Sequence, residues 1–204
     1  MSASRGMPAA PEQFFGKRTA PVQDMPRRIN LSVLGSYAAN AVEQQLARDL
    51  GRGLADLRLN IVSGGQQGVM LSLCEAIWTH RRGGTESAYV VGILPGSDFG
   101  DANPYLDLAI PVGASHLQNA IVPLAADIVV VIGGAAGTLA ELALAWQFRK
   151  PIALLGSEGW AGRLGGQRLD TRRDDELPQF HDVAELLRWI VRTAAAIDSE
   201  IADR

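Results

Sequence analysis

The sequence predicts an α/β fold, in which helices cover both faces of a mostly parallel sheet, from three observations. Short β-branched apolar runs alternate with longer amphipathic stretches from Ile29 onward. The run IVVVI at residues 128–132 is apolar throughout, as expected of a strand buried on both faces. The chain of 204 residues, 47% hydrophobic and 20% charged, is large enough to bury a core. We therefore expect one Rossmann-like three-layer sandwich over residues 28–204, after a flexible leader at residues 1–27.

The first half of the chain is predicted to alternate strands with helices after that leader. The leader contains four prolines among small and charged residues and has no periodic apolar face. Beyond it, β-branched runs indicate strands and amphipathic stretches indicate helices. In order, we expect a strand at residues 30–34, a helix at 38–57, a strand at 59–62, a helix at 67–80 and a strand at 89–94.

The second half continues the same alternation. Residues 156–180 are rich in Gly and Arg without a period, so we expect a surface loop with at most one helical turn there. Asp182 is expected to cap a last helix whose apolar side docks on the sheet. Before these segments, we expect a short strand at residues 106–112, a helix at 117–125, a strand at 128–132, a helix at 138–148 and a strand at 152–155.

Charge and cysteine content restrict the classes of partner. The net charge of −3 and the pI near 5.6 oppose nucleic-acid binding by phosphate neutralisation and favour a small-molecule partner. The lone Cys74 lies in an apolar helical run, so we expect core packing in a reducing compartment and no metal site. No segment approaches the roughly 18 apolar residues of a membrane span, and the N-terminus lacks the apolar core of a signal peptide. We therefore expect a cytoplasmic protein without a membrane or nucleic-acid partner.

Glycines concentrate directly after two of the predicted strands. The segment SGGQQGVM at residues 63–70 follows a strand and opens a helix, and GGAAGT at residues 133–138 has the same context. In an open parallel sheet, ligands bind beyond the carboxyl ends of the strands, and the free N–H groups of a helix start favour an anion. A single glycine turn is a weak signal, because tight turns need glycine without any ligand. Two turns at strand ends predict a shared pocket for a phosphate group.

Polar residues near these turns admit two interpretations each. Thr138 and Glu141 have the Thr-x-x-Glu spacing of a capping box, which satisfies the first N–H groups of a helix. Glu141 is equally a candidate catalytic residue if the protein is an enzyme. After the first strand, Gly35 and Ser36 are candidates to donate an N–H and a hydroxyl to the ligand, whereas a purely structural interpretation makes Ser36 or Asn40 a helix cap.

The first glycine turn resembles a motif of the SLOG superfamily. This superfamily includes the LOG proteins, once labelled lysine decarboxylases, and the molybdenum-cofactor carrier proteins. The LOG pattern Gly-Gly-Gly-x-x-Gly-Leu-Met-Gly is similar to residues 63–71, with Ser63, Val69 and Leu71 as departures. The resemblance extends over residues 29–155 and implies a Rossmann-like nucleotide-binding domain.

The second glycine turn resembles the LOG pattern Pro-Gly-Gly-x-Gly-Thr-x-x-Glu, with Gly133 and Ala135 as departures. LOG enzymes release a free base from a nucleoside monophosphate, and an Arg-Lys pair precedes this motif in them. This chain has Gln118 and Asn119 at those positions, and neither carries a positive charge. The neutral pair is more similar to the molybdenum-cofactor carrier branch. The resemblance therefore implies a binding or carrier protein for a phosphate-bearing nucleotide-like molecule, with the molybdenum cofactor or a nucleotide as candidate ligand and a LOG-like phosphoribohydrolase as the alternative.

Several weaker signals complete the candidate site. Pro95 ends the third strand and leads into a polar loop with Asn103, which in this family lies over the site. His116 is either a ligand donor or general acid, or a surface histidine at a helix start. The apolar run at residues 139–146 is too hydrophobic all round for a one-sided surface helix, which predicts a homodimer or larger assembly. The residues predicted to bind the ligand are Gly35, Ser36, Ser63, Gly64, Gly65, Gln66, Gly68, Met70, Pro95, Asn103, Gln118, Asn119, Gly133, Gly134, Ala135, Ala136, Gly137 and Thr138.

Overall fold

A computed structural model describes residues 27–202, so the predicted leader lies outside the described residues except for Arg27. Seven strands and six helices alternate along this part of the chain. The strands are β1 (Ile29–Gly35), β2 (Leu59–Ser63), β3 (Tyr89–Leu94), β4 (Leu108–Pro111), β5 (Ile128–Ile132), β6 (Ile152–Leu155) and β7 (Gln179–Phe180). The helices are α1 (Ala41–Leu54), α2 (Val69–His80), α3 (Ser115–Ala125), α4 (Ala136–Gln147), α5 (Gly159–Leu164) and α6 (Val183–Ala202).

The strands form one sheet in the order β4-β3-β2-β1-β5-β6-β7, and every neighbouring pair is parallel. The chain builds the sheet outward from β1 to β4 and then returns to the other side of β1 to place β5. β1 and β5 are neighbours in the sheet, and Gly35 at the end of β1 lies opposite Ile132 at the end of β5. The strand order therefore reverses between β1 and β5, which is where open α/β sheets leave a crevice at their carboxyl edge.

Helices cover both faces of the sheet, as the sequence predicts, and β5 shows how one strand serves both. Ile128, Val130 and Ile132 pack with the residues of α1, α2 and α6. Val129 and Val131 point to the opposite face and pack with the residues of α3, α4 and α5. All five side chains are buried because successive strand residues point to opposite faces and each face has its own helix layer.

The predicted strands and helices are confirmed, with shifted ends that have local causes. Helix α1 begins at Ala41 and not at residue 38, because Asn40 and Glu43 form a capping box. The Asn40 Oδ1 accepts the Glu43 N–H at 2.9 Å, and the Glu43 Oε2 accepts the Asn40 N–H at 2.8 Å. At the last helix, the Asp182 Oδ1 accepts the Glu185 N–H at 2.9 Å, which confirms Asp182 as its cap.

The loop predicted at residues 156–180 contains more structure than expected. Helix α5 supplies the helical turn, and β7 adds a seventh strand at the edge of the sheet. The Gly156 N–H donates to the Phe180 O at 2.8 Å, and the Leu154 N–H donates to the Pro178 O at 2.9 Å. A strand of two residues is too short to show any periodicity in the sequence.

No helix in residues 27–202 is both long and apolar enough to cross a membrane.

Candidate functional site

A cleft of about 170 Å³ opens at the carboxyl edge of the sheet, where the strand order reverses. Its lining residues come from the end of β1, from the turns after β1, β2 and β5, and from the helices α2, α3 and α4. Eleven of the lining residues belong to the candidate site predicted from the sequence. These eleven are Gly35, Ser36, Gly64, Gln66, Met70, Gln118, Asn119, Ala135, Gly137, Thr138 and Glu141, and Val33, Leu34 and Tyr37 line the cleft with them.

The start of α4 presents free hydrogen-bond donors beside this cleft. Its N-cap residue Ala135 has extended backbone angles and no side chain that can cap the helix. The first helical hydrogen bond runs from the Leu139 N–H to the Ala135 O at 3.0 Å. The N–H groups of Ala136, Gly137 and Thr138 make no hydrogen bond within residues 27–202. Such groups, together with the helix dipole, favour an anion at this position.

The capping-box interpretation of Thr138 and Glu141 is wrong. Thr138 is the third residue of α4 and not its cap, and its hydroxyl donates to the Gly35 O of β1 at 3.2 Å. This contact joins the start of α4 to the end of the central strand. Glu141 does not reach back to the helix start, which leaves its carboxyl group to face the cleft.

Glu141 is an isolated acid in this cleft. Within residues 27–202 its carboxyl group makes no hydrogen bond or ion pair, while the residue keeps part of its surface open to the cleft. Burial of the carboxyl group raises the pKa of Glu141 to about 8. None of the lining residues is Lys, Arg or His, so the described cleft supplies no cationic side chain to pair with it.

A buried network joins the turn after β1 to the turn after β5. The Ser36 hydroxyl donates to the Glu43 Oε1 at 2.6 Å and accepts the Gly134 N–H at 2.9 Å. Gly133 lies against the same carboxylate with φ of 62°, and a Cβ at this position would stand 1.6 Å from the Glu43 Oε1. Ser36 therefore does not cap α1, which is the role of Asn40. The Gly134 N–H is also occupied, so the donors for a ligand are those further into α4.

Gln118, which the sequence resemblance matches to the LOG arginine, is hydrogen-bonded to the backbone. Its Nε2 donates to the Gly64 O at 3.0 Å and to the Ile93 O at 2.6 Å. Both hydrogens of the amide are thereby used, and Oε1 has no partner within residues 27–202. Because every fully buried side-chain polar atom described has a partner, Oε1 must keep access to open space, and Gln118 lines the cleft. Gln118 thus offers the cleft an acceptor, whereas an arginine would offer donors.

The first glycine turn is held mainly by contacts within the protein. Gly68 has φ of 71°, and a Cβ there would lie 2.2 Å from both the Ser36 O and the Tyr37 O. The buried Asn103 also supports this turn, because its Nδ2 donates to the Gln66 O at 3.2 Å. Gly68 and Asn103 therefore position the turn behind the cleft. Eight predicted residues do not line the cleft: Ser63, Gly65, Gly68, Pro95, Asn103, Gly133, Gly134 and Ala136.

Sequence reasoning missed Tyr37 and left the role of His116 open. Tyr37 lines the cleft with 60% of its surface exposed, and the signal for it was an aromatic residue directly after Gly35 and Ser36.

His116 is exposed at the start of α3 and does not line the cleft. In the segment after α5, Arg172 pairs with Asp170 at 3.1 Å and Arg173 pairs with Asp175, so these four charges neutralise one another in pairs. The lone Cys74 is fully buried, as predicted, and burial raises its thiol pKa to about 12.

Comparison with known protein families identifies the family to which this chain belongs. The sequence profile of the SLOG cluster4 family matches residues 28–186, which is most of the chain. The chain belongs to the SLOG cluster4 family. This membership agrees with the resemblance of the two glycine turns to SLOG motifs.

Solved structures similar to this SLOG protein have the same fold. The crystal structure of the protein TM1055 is 30% identical, with a TM-score of 0.69 over 80% of this chain and 99% of that one. A molybdenum cofactor binding protein from Rippkaea orientalis is 25% identical, with a TM-score of 0.69 over 81% and 98%. The molybdenum cofactor carrier protein from Chlamydomonas reinhardtii is 23% identical, with a TM-score of 0.69 over 83% and 99%, and at this identity the likeness concerns the fold.

Proposed function

We propose that this SLOG protein binds a phosphate-bearing, nucleotide-like small molecule in the cleft at the start of α4, as a carrier or binding protein without LOG-type catalysis. The observation that carries the proposal is the set of free N–H groups of Ala136, Gly137 and Thr138. They stand where the strand order of the sheet reverses, and an anionic group there completes hydrogen bonds that the protein leaves open.

The volume of the cleft favours a ligand of which only one part lies inside the cleft. A pocket that encloses a whole drug-sized ligand has roughly 300–1,000 Å³, whereas this cleft has about 170 Å³. The phosphate group fits against α4, and the rest of the ligand extends to the mouth of the cleft. Tyr37, Gln66 and Asn119 line the cleft with side chains that make no hydrogen bond within residues 27–202, so they remain available to it.

The absence of turnover is proposed from the charge of the cleft. LOG enzymes place an arginine where this chain has Gln118, whose amide hydrogens bond to the Gly64 O and the Ile93 O. No cationic side chain among the described residues lines the cleft in its place. A developing anion would therefore meet no positively charged side chain in the described cleft.

The molybdenum cofactor is one candidate cargo. It carries a phosphate group on a pterin ring system, and the amides of α4 suit the phosphate. The ring N–H groups of a pterin need acceptors, and the free Gln118 Oε1 is one. The 25% identity to the molybdenum cofactor binding protein of Rippkaea orientalis supports including it in the test.

Isothermal titration calorimetry tests the proposal. The protein is titrated with AMP, GMP and CMP, and under anaerobic conditions with molybdopterin, and we expect saturable binding of at least one of them without release of a base. Mass spectrometry of the molecule that co-purifies with the protein identifies the natural ligand independently. No binding in the panel and no co-purified phosphate-bearing molecule would contradict the proposal.

A second candidate function is a nucleoside 5′-monophosphate phosphoribohydrolase. The observation that favours it is Glu141, an acid in the cleft with a pKa raised to about 8. In this function the ionised form of Glu141, which is the major form only above about pH 8, stabilises the oxocarbenium charge that develops as the base leaves. Chromatography of the same nucleotides after prolonged incubation distinguishes the two functions, because the enzyme releases free base and loses this activity in Glu141→Gln.

The charge of the chain and its apolar surface bear on the partners and the assembly of this SLOG protein. We propose that it acts in the cytoplasm as a homodimer or larger assembly, with a small molecule and not a nucleic acid or a membrane as its partner. The net charge of −3 supports the choice against nucleic acid, because binding to its phosphates requires a basic face.

A further inference from the structure

Glu141 is the only acidic residue among those that line the described cleft, and its carboxyl group is not held by the surrounding protein. The Gln118 amide, the Ser36 hydroxyl and the Thr138 hydroxyl all bond to the surrounding protein. The Glu141 carboxyl group has no such partner within residues 27–202 and faces the space in which the phosphate is proposed to lie. An ionised carboxylate at this place would repel a phosphate group, and no cation in the cleft would offset the repulsion.

The elements that pack around α4 provide no compensating positive charge close to Glu141. β1 and β5 contain no ionisable residue, and the only one in α3 is His116, which is exposed and does not line the cleft. The ionisable residues between β1 and the first turn of α1 are Tyr37 and Glu43, and neither is cationic. The Glu43 carboxylate accepts hydrogen bonds from Ser36 and Asn40. Ahead of α5, Glu158 contacts the Asn40 side chain, while Arg163 of α5 stacks on Trp160.

We propose that Glu141 binds the ligand as a neutral carboxylic acid, which donates a hydrogen bond to the anionic group and admits a phosphate ester only while it keeps its proton. This inference rests on the proposed function. A protonated carboxyl group has one O–H donor, which joins the N–H groups at the start of α4 as a further donor for the phosphate. Glu141 is thus a specificity-determining residue, because the charge of its side chain decides whether an anion enters the cleft.

The pH dependence follows from the direction of the shift. Because burial raises the pKa of Glu141 to about 8, the side chain is protonated near neutral pH and ionises above that value. Affinity for a phosphate ester is therefore full below about pH 7 and falls as the pH rises through the pKa. If only the protonated form binds, the affinity at about pH 9 is lower than at about pH 6.5 by about tenfold.

The test combines a measurement of binding affinity with a direct measurement of the protonation state of Glu141. AMP binding is measured by calorimetry at about pH 6.5 and about pH 9 for the wild-type protein and for Glu141→Gln. The glutamine is close in shape to the protonated acid and keeps a donor, and it breaks no hydrogen bond, since Glu141 makes none in the described structure. In the ligand-free protein, the Glu141 carboxyl carbon is followed by ¹³C NMR as a function of pH, with Glu141→Gln used for the assignment.

We expect a loss of AMP affinity of about tenfold in the wild-type protein and a smaller, ligand-only change in Glu141→Gln. An NMR titration near the ordinary glutamate range overturns the inference even if AMP binds. Equal pH dependence in the two proteins also overturns it, while the proposed function stands because AMP still binds. If AMP binds to neither protein at about pH 6.5, the same comparison is made with the member of the panel that does bind. If no member of the panel binds, the phosphate site itself is contradicted, and the role of Glu141 falls with it.

Discussion

At the scale of single residues, Glu43 and Gly133 show how the candidate site keeps its shape. The Glu43 carboxylate is buried and accepts hydrogen bonds from the Ser36 hydroxyl and the Asn40 N–H. Gly133 occupies the space directly beside it, where the related LOG motif has a proline. A side chain at residue 133 and the buried Glu43 carboxylate would therefore occupy the same space.

Gly133→Ala tests this mutual exclusion. The new Cβ would stand 1.6 Å from the Glu43 Oε1, and φ of 62° is unfavourable for alanine. We expect the free energy of unfolding, measured in urea, to fall by about 1–3 kcal/mol or more. Gly137→Ala is the matched control, because its Cβ would meet nothing within 4 Å and it lies in α4. The control is expected to gain about 0.5–1 kcal/mol, and equal effects of the two substitutions would refute the account.

At the scale of elements, α4 combines strong burial with an uncapped start. Leu142, Ala145 and Trp146 anchor it in the core, so the helix is stable without a capping side chain. α1, in contrast, has a complete capping box formed by Asn40 and Glu43. A capping side chain at residue 135 would occupy the N–H groups proposed to bind the ligand, so the proposed function requires α4 to start without one.

Ala135→Asp separates stability from binding. The new carboxylate can cap α4 and is expected to raise the free energy of unfolding by about 0.5–2 kcal/mol, while it lowers the affinity for AMP by at least about tenfold through competition for the same donors. Ala114→Asp is the matched control, because Ala114 is the uncapped N-cap of α3 and does not line the cleft. It should stabilise the protein without changing AMP affinity. A stabilised Ala135→Asp protein with unchanged affinity would place the phosphate elsewhere.

At the scale of the whole molecule, the outer side of α3 and α4 is the surface that we propose mediates self-association. These two helices pack side by side. Leu117 and Leu124 of α3 are 50% and 56% exposed, and Phe148 is exposed just beyond α4. Of the apolar run at residues 139–146, Leu142, Ala145 and Trp146 are buried, whereas Ala140 remains exposed. The burial of one side therefore explains part of the hydrophobicity of α4, and an outer apolar surface remains.

Light scattering at micromolar concentration measures the assembly directly. We expect the mass of a dimer or larger assembly for the wild-type protein and a lower mass for Leu124→Lys, because a charge in an apolar interface is costly. Val191→Lys serves as the control, since Val191 is 50% exposed on α6, in the opposite helix layer. A monomeric wild-type protein would contradict the prediction, and dissociation by Val191→Lys alone would move the interface to the α6 side.

The sequence by itself determined the α/β class, the six longer strands, five of the six helices and the positions of both glycine turns. Each of these depends on local patterning, because apolar periodicity and glycine after a strand are properties of short segments. The sequence also predicted 11 of the 14 residues that line the cleft, since the carboxyl ends of neighbouring parallel strands meet at one edge.

Only the tertiary structure decided which donors and acceptors of the site remain free. Ser36 and Gln118 are suitable ligand donors in the sequence, yet Glu43, Gly64 and Ile93 occupy their hydrogens. Thr138 and Glu141 match a capping box, yet α4 starts three residues earlier than that pattern requires. These outcomes depend on contacts between segments far apart in the chain, and burial, which raises the pKa of Glu141, exists only once those segments have packed.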